Sequence, residues 1–322
     1  MSAPATPAPP LAVASPTRSR TVLAALPIAV WAAAFTIALA ARGLVIDREQ
    51  LLAWICGGLA AACVASPARL KRLILDWLPF AVALTAYDYT RGAADTLGMP
   101  VQGRSIAAVD RFLFVGHIPS VWLQAHIGMA GTLRWWHGVI TLVYTSHLIA
   151  PFAIAGWLWW HDRDRWVRWV RRFFILTAAG LLTYILVPAA PPWLASREGF
   201  IGEVHRTTAR GWGVLHLHVA HQLLEKGQET VNAVAAFPSL HAAFAALACA
   251  FFWPTAGRAL RLVLLSYAVG MGFVLVLGGE HYVTDILAGW VYVAGACWAA
   301  RQWEARRARR FQEQDGPPRI QT

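Results

Sequence analysis

Two short stretches of the chain place ionisable and hydroxyl side chains where apolar helices should begin or end. The first is Ala236-Phe237-Pro238-Ser239-Leu240-His241. A proline followed by serine, ahead of an apolar run, marks a helix start with Ser239 as its cap. His241 then falls in the first turn, where backbone N–H groups and the helix dipole favour a bound anion. The second stretch is Gly278-Gly279-Glu280-His281-Tyr282-Val283-Thr284-Asp285. Its glycines end one helix, and another starts near His281. Asp285 follows His281 by one helical turn, so its carboxylate can accept a proton from one ring nitrogen. That contact fixes the tautomer and leaves the other nitrogen to act as a nucleophile.

The chain between these stretches returns one histidine to the level of the other. From His241 an apolar run crosses inward, turns at residues 255–258 and recrosses by Gly278, so both histidines emerge on one face. A single histidine at such a place can be a simple interfacial hydrogen-bonder. Four polar residues together, Ser239, His241, His281 and Asp285, point to chemistry, because ionisable groups at membrane depth are costly. A His and an Asp one turn apart could also ligate zinc, but no third ligand is spaced for it.

The elements that must hold these residues are membrane helices. Apolar residues make up 57% of the 322 residues and charged residues 14%, against about 25% in a soluble domain. Seventeen tryptophans suit a protein with two membrane interfaces. The net charge of +11 is spread over short stretches between apolar runs. It does not form one basic patch with interleaved aromatics, which excludes nucleic acid as the expected partner. The four cysteines (Cys56, Cys63, Cys249 and Cys297) lie in apolar runs and read as packing residues.

Eight apolar runs are long enough to be candidate spans: 22–41, 50–66, 73–88, 137–160, 173–191, 240–256, 260–278 and 283–300. The first is longer than a usual signal-peptide core and reads as a retained span. With both termini inside, the inner segments carry 18 of the 28 basic residues. The positive-inside rule therefore puts the termini in the cytoplasm and the long loops 89–136 and 192–239 outside. The expected organisation has four parts: a disordered tail (1–20), N-terminal membrane helices (21–72), a catalytic membrane domain (73–300) and a basic cytoplasmic tail (301–322). Residues 118–130 suit an amphipathic helix lying in the interface. The fold class is all-α, an integral membrane bundle of about eight spans with a six-helix catalytic core.

Phe237-Pro238-Ser239-Leu240-His241 and His281-Tyr282-Val283-Thr284-Asp285 resemble the second and third signature motifs of the type 2 phosphatidic acid phosphatase superfamily. More narrowly, they are similar to its aureobasidin-resistance branch, the inositol phosphorylceramide synthases and their bacterial relatives. The resemblance implies that His281 is a nucleophile forming a phosphohistidine and that Asp285 orients it. It also implies that His241 protonates the leaving alcohol, that Ser239 holds a phosphate oxygen, and that no metal or other cofactor is needed.

Two departures matter. The superfamily's third motif usually opens with Ser-Arg, and here those positions are Val274 and Leu275, so a phosphate-binding arginine is missing. The first motif, Lys-x6-Arg-Pro, is also absent. Arg91, in Tyr87-Asp88-Tyr89-Thr90-Arg91-Gly92, is the candidate replacement, and its alternative is a snorkelling interfacial arginine. Asp88, Tyr282, Trp193 and His147 are candidate pocket residues. Tyr144, Thr145 and Ser146, beside His147, also read as interhelical hydrogen-bonders. His216, His218 and His221 read as a solvated outer loop.

The expected function is a membrane-embedded lipid phosphotransferase or phosphatase. Its substrates would be phospholipids or prenyl phosphates among the membrane lipids, with water, a polyol or a lipid alcohol as acceptor. The rival class is a lipid transporter or scramblase with structural histidines.

Overall fold

The computed structural model describes residues 18–42, 48–93, 99–127, 131–215 and 233–314, and regular structure among them is helical. In chain order the first helices are α1 (Arg18–Arg42), α2 (Arg48–Cys63), α3 (Pro67–Ala93), α4 (Arg104–Leu113) and α5 (Pro119–Ile127). Then come α6 (Trp135–His161), α7 (Arg163–Leu186) and two short helices, α8 (Pro192–Arg197) and α9 (Gly211–Val214). The last three are α10 (Leu240–Phe252), α11 (Arg258–Leu277) and α12 (Val283–Gln314).

A helix stands at each of the eight apolar runs. Four of them, α6, α7, α11 and α12, are long and apolar enough to cross a bilayer, and α1, α2 and α10 contain shorter apolar stretches. Large apolar side chains such as Leu78, Val82, Leu262, Val263, Val291 and Trp298 point outward. That is the surface hydrocarbon requires, and the helices satisfy their own backbone groups. The protein is an all-α, multi-pass membrane protein.

Two boundaries differ from the sequence reading. Helix α7 starts at Arg163, ahead of the expected run 173–191, because the Asp162 side chain accepts a hydrogen bond from the Arg165 N–H at 2.9 Å and caps it there. The arginines of 163–172 are therefore helical and not a connecting loop. The last helix continues to Gln314, so the expected separate tail from 301 is in large part an extension of α12. Glu304 on that extension accepts from Arg171 at 2.7 Å and Arg172 at 2.8 Å, tying it to α7.

The core is built from rings and small residues. Phe80 on α3, Phe152 on α6, and Phe173 and Phe174 on α7 meet with centroids 5.4–6.1 Å apart, and Phe244 on α10 stacks on Phe173 at 5.0 Å. Such contacts add to the area they bury. Helices α10 and α11 form an antiparallel hairpin against α6, α7 and α12. At 1.5 Å per residue α10 rises only about 20 Å and α11 about 30 Å. The end of the hairpin that carries residues 253–261 also holds Arg165, which donates to Thr255 at 3.3 Å. The histidines lie at the opposite end.

Candidate active site

Ser239 caps α10, its Oγ accepting from the Ala242 N–H at 3.3 Å, so His241 sits in the first turn. The segment before it is pinned from two sides. Ala189 bridges Gln102 on one side and Ala235 on the other, and the Tyr184 hydroxyl donates to the Pro238 carbonyl at 2.9 Å. On the other arm of the hairpin, α11 stops at Leu277 and Gly279 turns the chain with φ +74°. A Cβ there would also meet the His205 carbonyl oxygen at 2.8 Å, so the turn needs glycine for both reasons. His281 precedes the first turn of α12 rather than lying on it. Its link to Asp285 comes from that turn, where Asp285 Oδ2 accepts the Tyr282 N–H at 2.8 Å.

The two motif histidines touch. His241 Nδ1 lies 2.9 Å from His281 Nε2, and His281 Nδ1 lies 3.4 Å from Asp285 Oδ2. Asp285 is wholly buried and His281 is 3% exposed. A buried carboxylate is tolerated when paired, and here the imidazole is its ionisable partner. With a proton on Nδ1 facing Asp285, the lone pair of His281 Nε2 points at His241. The backbone ties the motifs as well, since the Ser239 N–H donates to the Asp285 carbonyl at 3.0 Å.

Around the pair stand residues from three other elements. The His147 ring meets His241 edge-on at 4.1 Å, and Tyr144 stacks on His241 at 5.7 Å. His147 Nδ1 is hydrogen-bonded to the Tyr144 carbonyl. Ser146, the residue before His147, pairs with Tyr267 of α11 at 2.8 Å, a helix-to-helix bond. Trp193, at the start of α8, donates its backbone N–H to the Gly279 carbonyl at 3.1 Å. Tyr282 departs from its expected place in the pocket. It is fully buried in an apolar cluster with Ile106, Ala107, Ile118, Ala189 and Ala236, where it packs the floor of the motif. Asp88 and Arg91 belong to the last turns of α3, but their side chains lie outside the described residues, as do His216, His218 and His221.

Three charged residues that the sequence reading did not assign complete the site. Glu280, beside His281 and 5% exposed, receives a fork from Arg206, whose Nε and Nη2 donate to its two oxygens at 2.9 Å each. Thr208 donates to the same carboxylate at 2.6 Å. Burial works against the Arg206 charge, but Glu280 outweighs it and holds the guanidinium more firmly protonated than usual. Arg206 is also hydrogen-bonded to Tyr144 and lies 5.1 Å over the Trp193 ring.

The third residue is Asp110 of α4, which is fully buried. Its oxygens accept the Val283 N–H at 3.0 Å, the Thr284 N–H at 2.8 Å and the Thr284 hydroxyl at 2.5 Å. A carboxylate from a distant helix thus caps the helix that carries Asp285. One signal was available for Glu280, a carboxylate in an apolar motif that had been given no partner. Nothing local pointed to Arg206 or Asp110.

Gln124 on α5 donates to the carbonyls of His205 and Leu277 at 2.8 Å each and accepts from the His205 N–H at 2.8 Å. It fastens the 198–210 segment over the end of α11. Of residues 118–130, expected to lie in the interface, the described part 118–127 therefore has an inward face of Ser120 and Gln124, with Trp122 and Ile127 outside. Among the described residues no three His, Cys, Asp or Glu side chains group as a metal site.

A family model described as the PAP2 superfamily matches residues 104–299, more than half of the chain. A curated relative, the phosphoinositol dihydroceramide synthase of Bacteroides thetaiotaomicron, is 23% identical over 234 residues, which cover 68% of this chain and 73% of that protein. No solved structure gives a significant match. The residues from α4 to the membrane part of α12, which contain both histidine motifs together with Tyr144, His147, Trp193, Arg206, Glu280 and Asp110, are those the family model covers, and the chain belongs to the PAP2 superfamily of membrane phosphatase- and phosphotransferase-type enzymes.

Proposed function

We propose that the protein transfers a phosphorylated headgroup between membrane alcohols through a phosphohistidine on His281. The observation that carries this reading is the continuous line from Asp285 through His281 to His241, with contacts of 3.4 and 2.9 Å. In the first step His281 Nε2 attacks the phosphorus of a lipid phosphate ester. The phosphorus–oxygen bond to the leaving alcohol breaks, and that oxygen takes a proton from His241. In the second step the acceptor hydroxyl gives its proton to His241 and attacks phosphorus, and the phosphorus–nitrogen bond breaks. Asp285 stabilises the imidazolium that develops on His281, and the N-terminus of α10, capped by Ser239, favours a phosphate oxygen.

The two rings now touch, so the phosphorus must enter between them. An attacking nitrogen needs it at roughly 3–3.5 Å. The direct contact is therefore replaced on substrate binding, and His241 turns to the leaving oxygen.

Transfer is favoured over hydrolysis by the phosphoinositol dihydroceramide synthase relative. By that analogy the donor is a phospholipid with a phosphoinositol-like headgroup and the acceptor a long-chain lipid alcohol. With water as acceptor the same site is a lipid or prenyl phosphate phosphatase. The basic ends of α7, α11 and α12 lie away from the histidines, which supports cytoplasmic termini and an extracytoplasmic site.

The test is to incubate purified protein with phospholipids and prenyl phosphates labelled at phosphorus, with and without inositol or ceramide, and to identify the products by mass. A rapid quench should trap an acid-labile label on His281, and His281→Ala should lose both label and turnover. Product formation that persists in His281→Ala would sink the mechanism. A transporter with structural histidines would show no covalent label at all.

A further inference from the structure

We propose that Arg206, held in place by Glu280, is the cation that receives the substrate's phosphate group, the role left vacant by Val274 and Leu275. The inference rests on the phosphohistidine reading of the same site. A pentacoordinate phosphorus carries negative charge on its non-bridging equatorial oxygens, and a water-poor site must meet it with fixed donors. His281 and His241 are occupied with attack and proton transfer. A further positive group is required.

Arg206 stands where that group should be. It is hydrogen-bonded to Tyr144, whose ring stacks on His241, and its carboxylate partner is the residue next to His281. Trp193 flanks the guanidinium, and Thr208 steadies Glu280 at 2.6 Å. Among other arginines at this end, Arg104 lies over Phe200 and Arg210 donates to the Gly131 carbonyl at 2.8 Å, while Arg197 lies 5.5 Å over the same Trp193 ring. A partly buried ion pair seldom stabilises a fold more than apolar packing would. A pre-aimed arginine is what a phosphate site needs, because its rotamer is set before the substrate arrives.

The test uses the purified full chain in lipid nanodiscs and titrates orthovanadate by calorimetry, with thermal unfolding followed in parallel. Arg206→Ala should weaken orthovanadate binding by about ten- to a hundredfold, the effect of losing a hydrogen bond to a charged group. Arg206→Lys, which keeps charge without the fork, should lose less. Glu280→Gln, whose amide oxygen still accepts from Arg206 and keeps it aimed, should bind orthovanadate as tightly as wild type or more tightly, because the charge on Arg206 is no longer offset. The two partners of one ion pair thus move the affinity in different directions.

A purely structural ion pair would lower the Tm in both variants and shift their anion affinities alike, and that result overturns the proposal. If Arg206→Ala does not fold, Arg206→Lys against Glu280→Gln reads the same split. Unchanged binding in Arg206→Ala alongside a trapped phosphohistidine in wild type would remove Arg206 and leave the mechanism standing. The split without any phosphohistidine would remove the mechanism and leave the anion site.

Discussion

At the scale of single residues, the site depends on which nitrogen of His281 carries a proton. We propose that Asp285 Oδ2, which faces Nδ1 at 3.4 Å from a wholly buried position, fixes this. Asp285→Asn keeps the shape but presents an amide that no longer stabilises an imidazolium. We predict a loss of about a hundredfold or more in kcat, with a much smaller change in KM because the phosphate-facing groups are untouched. Steady-state kinetics on the labelled phospholipid checks this, and an unchanged kcat would show that Asp285 only packs. His241 is set differently. Its neighbours are the rings of His147 and Tyr144, so its orientation comes from packing on α6 as much as from the proton it shares with His281.

At the scale of elements, two helices must approach closely for the histidines to meet. Gly289, in the second turn of α12, is where they do so: a Cβ there would lie 2.5 Å from the Ser239 carbonyl oxygen, a backbone atom that cannot move aside cheaply. We predict that Gly289→Ala pushes α10 and α12 apart, lowering both Tm and turnover. Gly295 on the same helix is the control, since a Cβ there meets nothing within 4 Å. Gly295→Ala should leave activity alone and raise helix stability slightly, by about 1 kcal/mol at most. Thermal unfolding and turnover measured on both variants separate close approach from helix propensity. Equal behaviour of the two would mean that the contact at Ser239 is dispensable.

At the scale of the whole molecule, charge is sorted between two ends. Arg163, Arg165, Arg171, Arg172 and the basic extension of α12 gather away from the histidines. Glu203, with an 82% exposed side chain, and Arg206 belong to the end that carries the site. The proposed orientation, with the basic end of α7, α11 and α12 in the cytoplasm, follows from the positive-inside rule and is tested by labelling. In a background with Cys56, Cys63, Cys249 and Cys297 replaced by alanine, Glu203→Cys should react with an impermeant maleimide added outside intact cells. Gly257→Cys, in the α10–α11 turn, should react only after the membrane is opened. Reversed labelling would place catalysis on the cytoplasmic face.

Much of this protein is written in local pattern. Eight apolar runs became eight helices because a backbone in hydrocarbon has no other partner than itself. Ser239, His241 and the glycines before His281 declared helix ends through capping and turn chemistry, which act over a few residues. The spacing of His281 and Asp285 announced their contact. At the start of α7 the boundary is set by the Asp162 cap, a local bond that the apolar pattern does not carry, and at the end of α12 the ion pair of Arg171 and Arg172 with Glu304 comes from far along the chain.

What the tertiary structure alone decided is the set of partners that come from elsewhere. Glu280 meets Arg206, and the peptide groups that open α12 meet Asp110. Tyr282, polar and next to His281 in sequence, turned inward as packing, while Tyr144 and His147 turned toward His241. Buried charge must be matched by whatever the fold brings within hydrogen-bond reach, and a linear pattern holds no record of which distant residue that is.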